Sequence, residues 1–180
     1  METKIIYFVH GTTTDNAAKL CSGWKEAMLN DLGREQAENL GKVSEERNDE
    51  FDIMFTSDLK RAIESSNIAF KEVEKITDNR LRECNYGDLD GEHKSLVIYE
   101  EHIDTPFPNG ESLKDVEKRV KEFLEYIKEN YQGKTIGIVA HRAPQLALEV
   151  LTKNISWEEA IKNDWRKTGD WAPGWEYIIK

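Results

Sequence analysis

Three short apolar runs punctuate the chain and predict the central strands of its fold. They cover residues 5–9, 51–55 and Thr135–Ala140, and they consist largely of aromatic and β-branched residues, which favour strands. The polar stretches between them carry apolar residues at helical spacing. Strands that alternate with helices predict an α/β fold of three α/β/α layers, in which a mainly parallel central sheet is covered on both faces.

The helices are predicted from apolar spacing and from capping residues. Ser57 or Asp58 is the expected N-cap of the helix after the second strand. Ser112 and Asp115 are spaced as a capping box, so the longest helix, which is amphipathic, is expected to begin there. The predicted helices cover residues 34–48, about 59–74, a long segment from Ser112, and 143–151; a weak strand or extended loop is expected at 77–82, and a last edge strand at Trp175–Ile179.

Residues suited to binding an anion follow the carboxyl ends of all three central strands. In a parallel sheet these ends meet at one edge, where open α/β folds bind their ligands. Imidazoles, guanidinium groups and helix N-termini at one edge predict an oxyanion or phosphate pocket. The residues concerned are His10 and Gly11 after the first strand, Arg61 in the first helical turn after the second, and His141 and Arg142 after the third.

Composition limits the classes of function and adds a constraint on that pocket. The chain has 180 residues, of which 38% are hydrophobic and 33% charged, so residues 1–180 are predicted to form a single domain of ordinary size. The formal net charge of −10 disfavours nucleic acid and anionic membranes as partners. A phosphate must therefore be attracted by a local cationic pocket that acts against the field of the whole molecule.

A cytoplasmic location is expected, without a metal or another cofactor. No apolar stretch approaches the ~20 residues that a helix needs to span a membrane, and the first residues lack a signal-peptide pattern. Cys21 and Cys84 show no metal-ligand or redox spacing, so they are interpreted as free thiols in a reducing cytosol. His93 and His102 also lack ligand spacing and are expected at the surface. The segment Asp88-Leu89-Asp90 is interpreted as a solvated loop.

Several short motifs occur in a fixed order along the chain. They are HGTTTDN (10–16), LGREQA (32–37), SDLKRA (57–62), LRECNYGDLDG (81–91), NGES (109–112) and IVAH (138–141). As a set, over about residues 4–150, they resemble the histidine phosphatase superfamily. The resemblance implies the phosphoglycerate mutase-like fold and metal-independent chemistry through a phosphohistidine.

The resemblance also implies roles for individual residues. His10 would attack phosphorus in line and become a phosphohistidine, while Arg61 and His141 would bind the equatorial phosphoryl oxygens. Glu83 would protonate the leaving oxygen and then deprotonate the hydrolytic water. The expected substrate-binding residues are Gly11, Thr13, Asn16, Tyr86 and, for a separate reason, Arg142.

Arg142 is included because the chain departs from the family pattern beside the expected nucleophile. The family's Arg-His-Gly reads Val9-His10-Gly11 here, through either a substitution or a one-residue deletion, so a phosphate-binding guanidinium is missing. Its loss should cost about 2–4 kcal/mol of transition-state stabilisation. Arg142 stands where the family usually carries a small residue, and we hypothesise that it replaces the missing group. The alternative is that Arg142 points to solvent or pairs with an acidic residue.

Three functions remain open from the sequence. The leading interpretation is a phosphatase that hydrolyses a small phosphorylated metabolite. Tyr86 and the ECNYG segment resemble mutase sequences and favour a phosphoglycerate mutase-type isomerase, although the longer insertions of the cofactor-dependent mutases are missing. Val9 favours a catalytically impaired phosphate-binding module, but such a module has no need of the proton donor Glu83.

The C-terminal segment is rich in tryptophan and leaves the oligomeric state open. Its four tryptophans are expected to close the core more than to stack on a ligand, and they could instead form a dimer face. The chain is therefore expected to be a monomer or a homodimer. The residues are Trp157, Trp165, Trp171 and Trp175.

Overall fold

Five strands form one mixed sheet at the centre of the computed structural model, which describes residues 2–169 and 172–180. The strands are β1 (Thr3–Val9), β2 (Ile53–Thr56), β3 (Lys75–Thr77), β4 (Thr135–Ala140) and β5 (Trp175–Ile179), in the spatial order β3-β2-β4-β1-β5. β5 runs antiparallel to β1 at one edge, whereas the other pairs are parallel. The three predicted central strands and the predicted edge strand are confirmed. The doubtful segment at 77–82 contains only the end of β3, followed by a single 3-10 turn.

The helices lie between the strands and in the C-terminal segment. They are α1 (Thr14–Ala17), α2 (Asp31–Glu46), α3 (Lys60–Ala69), α4 (Leu113–Asn130), α5 (Arg142–Lys153), α6 (Trp157–Lys162) and α7 (Trp165–Thr168), with single 3-10 turns at Asn79–Leu81, Gly87–Leu89, Lys94–Leu96 and Tyr99–Glu101. The predicted capping box at Ser112 and Asp115 is confirmed. No helix in the described residues is both long and apolar enough to cross a membrane.

Three details of the predicted helices are wrong. α2 begins at Asp31, after the N-cap Asn30, rather than at about residue 34. The N-cap of α3 is Leu59, without a side-chain cap, because the Asp58 carboxylate instead pairs with the Arg82 guanidinium at 2.6 Å. α3 also ends at Ala69 rather than near residue 74. Phe70 leaves the helical conformation and packs its ring 5.0 Å from that of Phe8, so a buried aromatic contact ends the helix.

The two faces of the sheet carry separate cores. On β1, Ile6 and Phe8 pack with the cluster beside α2 and α3, while Ile5 and Tyr7 pack with the larger cluster that includes the buried faces of α4, α5 and α6. Alternating side chains of a strand point to opposite faces, so β1 contributes to both cores. The predicted three-layer α/β/α arrangement is confirmed.

The C-terminal tryptophans play different parts. Trp157 is buried in the larger core and its Nε1 donates to Glu117 at 2.6 Å. The half-buried rings of Trp165 and Trp175 stack with their centres 5.5 Å apart. Trp171 lies outside the described residues. Core closure is therefore confirmed for Trp157, whereas the stacked pair lies at the rim of the cavities near His10.

Candidate active site

A cavity of about 600 Å³ lies where the carboxyl ends of β1, β2 and β4 meet, as the topology predicts. Its wall brings together seven of the nine predicted site residues: His10, Thr13, Asn16, Arg61, Glu83, Tyr86 and Arg142. His141 lies directly behind His10, with the two rings 5.0 Å apart. Gly11 is buried beside the cavity, and its N–H donates to Ser65 Oγ at 3.0 Å.

His10 follows β1 with its ring held in one tautomer. Nδ1 lies 2.7 Å from the carbonyl oxygen of Gly11, and because a carbonyl can only accept, Nδ1 carries the proton. Burial, together with the nearby charge of Arg61, lowers the pKa of His10 from 6.5 to about 3. The ring is therefore neutral at physiological pH, and the lone pair of Nε2 is available for attack on an electrophile.

His141 is a buried side chain with unused hydrogen-bonding capacity. It is fully buried, and among the described residues neither ring nitrogen has a hydrogen-bond partner. Burial, and then the positive charge of Arg61, hold its pKa well below the usual value. Its backbone is fixed by Tyr7, whose hydroxyl donates to the His141 carbonyl at 2.7 Å and accepts from the His141 N–H at 3.0 Å. Unpartnered buried polar atoms in a native fold call for an explanation, and an oxyanion in the cavity supplies one.

Arg61 lies in the first turn of α3, as predicted, and the residue is 1% exposed. It donates to the carbonyl oxygens of Ser22 at 2.9 Å, Gly23 at 2.7 Å and Lys25 at 3.1 Å. These neutral acceptors orient the guanidinium without cancelling its charge. Arg61 therefore remains a fixed cation in the wall of the cavity.

Asp90 holds the loop whose carbonyl groups orient Arg61. The prediction that residues 88–90 form a solvated loop is therefore wrong for Asp90. Its carboxylate accepts the backbone N–H groups of residues 23–25, at 2.5 Å, 2.9 Å and 3.1 Å. Asp88, by contrast, is exposed and bonds the side chain of Asn109. Residue type alone does not separate the two carboxylates, because only the fold brings residues 23–25 to one of them.

Glu83 is oriented by the N-terminus of α5. Its Oε1 accepts the backbone N–H of Ala143 at 2.9 Å and of Cys84 at 2.8 Å, while Oε2 accepts the N–H of Arg142 at 3.1 Å. Glu83 is 6% exposed and forms part of the cavity wall. It is therefore held in one orientation beside the space that a leaving group would occupy.

Tyr86 reaches Glu83 through a second tyrosine. The hydroxyls of Tyr86 and Tyr99 are 2.7 Å apart, and the Tyr99 hydroxyl lies 3.4 Å from Glu83 Oε1. Burial is the main reason that the pKa values of both tyrosines are raised well above the ordinary value. Both phenols are therefore neutral and extend the hydrogen-bond network behind the carboxyl group.

Thr13 and Asn16 form the capping box of α1. The Thr13 hydroxyl accepts the Asn16 N–H at 3.0 Å, and Asn16 Oδ1 accepts the Thr13 N–H at 3.0 Å. The side-chain NH₂ of Asn16 is thus the group left for a ligand. The predicted proximity of both residues to the anion site agrees with their place in the cavity wall.

The environment of Val9 and Arg142 bears on the missing guanidinium. β1 pairs with β4 without interruption from Lys4 to Val9, so Val9 occupies a regular strand position directly before His10. Arg142 Nε donates to Asp164 at 2.7 Å, and its guanidinium lies 4.2 Å from the centre of the Tyr99 ring. Arg142 therefore pairs with an acidic residue, the alternative considered from sequence, while still lining the cavity. Its role as a replacement stays a prediction.

The cavity is locally cationic, as the net charge of −10 requires of an anion site. Three cations in its wall, Lys94, Arg166 and Lys167, were not identified from the sequence. Together with Arg61 and Arg142 they face the single carboxylate Glu83 among the described lining residues. In the described residues, no three His, Cys, Asp or Glu side chains converge as a metal-binding cluster.

Comparison with known proteins agrees with this geometry. A sequence model of the histidine phosphatase superfamily (branch 1) matches residues 6–169. The 2,3-bisphosphoglycerate-dependent phosphoglycerate mutase of Chelativorans sp. (strain BNC1) is 31% identical over 179 residues, covering 90% of this chain and 87% of that protein.

Two solved structures are similar over most of the chain. Bacillus stearothermophilus YhfR has a TM-score of 0.76 at 28% identity, covering 88% of this chain and 83% of that one. A mycobacterial glucosyl-3-phosphoglycerate phosphatase in complex with VO3 has a TM-score of 0.79, covering 87% of this chain and 85% of that one; at 22% identity it shows the fold alone. Because the family model spans nearly the whole chain, the protein belongs to the histidine phosphatase superfamily.

Proposed function

We propose that the protein is a phosphatase that hydrolyses a small phosphomonoester through a phosphohistidine at His10, without a metal ion. The observation that carries this proposal is the state of His10. Its ring is neutral, its Nδ1 proton is bound to the Gly11 carbonyl at 2.7 Å, and it lies in the wall of a cationic cavity. This arrangement suits an imidazole nucleophile directed at an anionic ester.

In the proposed first step, Nε2 of His10 forms a bond to phosphorus while the ester P–O bond breaks. As the general acid of this step, Glu83 gives a proton to the leaving alkoxide. In the second step Glu83 takes a proton from water, whose oxygen attacks the phosphohistidine. Inorganic phosphate leaves, and both His10 and Glu83 return to their starting states.

Positioned donors stabilise the phosphoryl group in both steps. Arg61 supplies a fixed positive charge, and His141 supplies one N–H from its neutral ring, which has no other partner among the described residues. In this type of transfer the protein contributes mainly positioning and charge stabilisation. The three backbone N–H groups on Glu83 keep the proton donor on the side of the leaving group.

A mutase is the second candidate, favoured by the name of a relative at 31% identity. It would use the same phosphohistidine but return the phosphoryl group to another hydroxyl of the substrate. Val9 favours a third candidate, a phosphate-binding module with impaired catalysis. All three share the cavity and differ in the fate of the phosphoryl group.

We further propose that residues 1–180 form one domain, located in the cytoplasm and acting as a monomer or homodimer. Cys21 and Cys84 are buried free thiols, which suit a reducing compartment. The net charge of −10 and the small cationic cavity favour a small phosphorylated substrate over nucleic acid or a membrane surface.

The test is phosphate release from a panel of small phosphomonoesters in EDTA, with His10→Ala as the variant and His102→Ala as the control. His102 is partly exposed and stacks on Phe107, outside the cavity wall. We expect turnover to survive EDTA in wild type and control and to fall to background in His10→Ala. Incubation with 3-phosphoglycerate distinguishes the candidates, because isomerisation without phosphate release indicates a mutase. A folded wild type that binds phosphate but turns over no ester would support the binding module.

A further inference from the structure

Arg166, in α7, lines the cavity and carries one guanidinium nitrogen without a hydrogen-bond partner among the described residues. Its Nη1 donates to Asp164 Oδ1 at 3.0 Å, and its guanidinium lies 4.4 Å from the centre of the Trp165 ring. Nη2 is buried, yet it has no hydrogen-bond partner among the described residues. A buried guanidinium N–H without an acceptor is costly, so the arrangement suits an anion that arrives from outside the protein.

Asp164 fixes this arginine in place. Its carboxylate is fully buried and bridges two guanidinium groups, accepting from Arg142 Nε at 2.7 Å and from Arg166 Nη1 at 3.0 Å. Burial alone would raise the pKa of Asp164, but the charges of Arg166 and Arg142 outweigh it and lower the pKa. One ionised carboxylate between two arginines leaves a net positive charge beside the cavity.

Arg166 also acts on the two site histidines. Its charge contributes to the lowered pKa of His10 and of His141, after the larger effects of burial and Arg61. The unused donor of Arg166, the unused ring nitrogens of His141 and the His10 ring therefore belong to one electrostatic environment. Arg166 reaches it from the C-terminal segment, and Val9 occupies the position on β1 where the family carries arginine.

We propose that Arg166 supplies the phosphoryl-binding guanidinium that is missing before His10. In this assignment, which rests on the phosphoryl chemistry proposed above, Nη2 donates to a non-bridging oxygen of the phosphoryl group at His10. Arg142 is a positioning residue: its Nε holds Asp164, its guanidinium stacks on Tyr99, and Asp164 in turn aims Arg166. An arginine of the C-terminal segment thus takes the place of the arginine that the family carries directly before the histidine.

The test compares Arg166→Met with Arg142→Met, Arg166→Lys and the control Arg47→Met. Methionine keeps an unbranched aliphatic stem and removes the charge. Arg47 is a matched arginine, with side-chain exposure of 28% against 24% for Arg166, and it pairs with acids near the amino ends of the strands. The readouts are the Kd for orthovanadate, followed by tryptophan fluorescence, and kcat/KM for the best ester of the panel. Thermal unfolding confirms that each variant is folded.

We expect Arg166→Met to weaken vanadate binding and lower kcat/KM by about 100-fold. Arg166→Lys should recover about tenfold of that loss, since it restores the charge without the planar fork. Arg142→Met should have a smaller effect than Arg166→Met, and Arg47→Met none. If Arg142→Met has the larger effect, Arg142 is the replacement and the assignment is overturned, as it also is if Arg166→Met binds vanadate like wild type.

The two proposals fail separately. If vanadate binding depends on Arg166 but no ester is hydrolysed, the assignment of Arg166 holds and the phosphatase proposal is wrong. If ester hydrolysis requires His10 but is unchanged in Arg166→Met, the phosphatase proposal holds and the assignment of Arg166 is wrong.

Discussion

Among single residues, Asp90 shows how a group outside the cavity wall controls one inside it. The Arg61 guanidinium is oriented by three carbonyl oxygens of the loop at residues 22–25. Those carbonyls point inward because Asp90 binds the N–H groups of residues 23–25 on the other side. The carboxylate therefore acts through the loop, and its effect should appear in the placement of the Arg61 charge.

We predict that Asp90→Asn lowers kcat/KM by about 10- to 100-fold, because a displacement of Arg61 by a fraction of an ångström weakens its contact with the phosphoryl group. The free energy of unfolding should fall by about 1–3 kcal/mol, since charge-assisted hydrogen bonds are lost. Steady-state kinetics and urea unfolding measure the two effects. Asp88→Asn is the control, because Asp88 is exposed and its carboxylate accepts from the Asn109 side chain rather than from a backbone loop. Equal effects of the two substitutions would refute the distinction.

Site residues were predictable where they follow strands and unpredictable where they depend on distant contacts. His10, Arg61 and His141 follow apolar runs, so the topology alone brings them to one edge. Asp90 and Arg166 carry no such signal. The first acts on a loop more than 60 residues earlier, and the second lies in a four-residue helix whose position depends on how the C-terminal segment packs.

Among the elements, α2 and the loop after β1 lie in very close contact beside the site. A Cβ added to Gly33 would lie 2.0 Å from the Thr12 carbonyl oxygen, and one added to Gly11 would lie 2.2 Å from the Gly33 oxygen. The Asn30 N–H also donates to the Thr12 carbonyl at 3.1 Å. The amino end of α2 therefore braces the backbone that carries His10, and glycine is required on both sides.

We predict that Gly33→Ala destabilises the protein by about 2–4 kcal/mol and lowers kcat, because α2 must move away from the His10 loop. The direction of the stability change is informative, because alanine inside a helix is ordinarily more stabilising than glycine by about 1 kcal/mol. Glu35→Ala is the control, since Glu35 is exposed on the same helix. Thermal unfolding with activity assays measures both variants, and a Gly33→Ala protein as stable as wild type would disprove the bracing contact.

Most helices and strands were predictable because the spacing of apolar residues indicates which side of each element faces a core. The capping box of α4 is equally local, so its start was correctly predicted from Ser112 and Asp115. The end of α3 was not, because the charged sequence after Ala69 is compatible with a helix. Only the packing of Phe70 against Phe8 and Phe51 reveals the break.

In the whole molecule, charge is separated between surface and site. The chain carries a net charge of −10, while the cavity wall carries several cations and the carboxylate Glu83. The net negative charge repels an anion at a distance, whereas the cations of the cavity wall attract it at close range. Burial, followed by the charges of Arg61 and Arg166, lowers the pKa values of His10 and His141 and keeps both rings neutral. The electrostatics of the site therefore also affect the stability of the fold.

We predict that this link makes the fold lose stability from pH 6.5 downwards, before most carboxylates titrate. In the unfolded chain a histidine takes up a proton near pH 6.5, whereas the folded pKa is about 3 for His10 and well below 6.5 for His141. The unfolded state therefore binds more protons as pH falls, and the free energy of unfolding decreases by about 1.4 kcal/mol per pH unit for each histidine.

The window from pH 6.5 to about 4.5 isolates this effect. The paired carboxylates with lowered pKa values, Asp58, Asp115 and Asp164, are fully ionised in the folded state there and lose their stabilising contribution only below the unfolded value of about 3.9. Urea unfolding at several pH values should give a steep slope for wild type and a shallow one for the double variant His10→Gln/His141→Gln. A flat wild-type profile over this window would mean that the two rings gain protons in the fold as readily as in the unfolded chain, and the neutral-nucleophile chemistry built on them would fall with it.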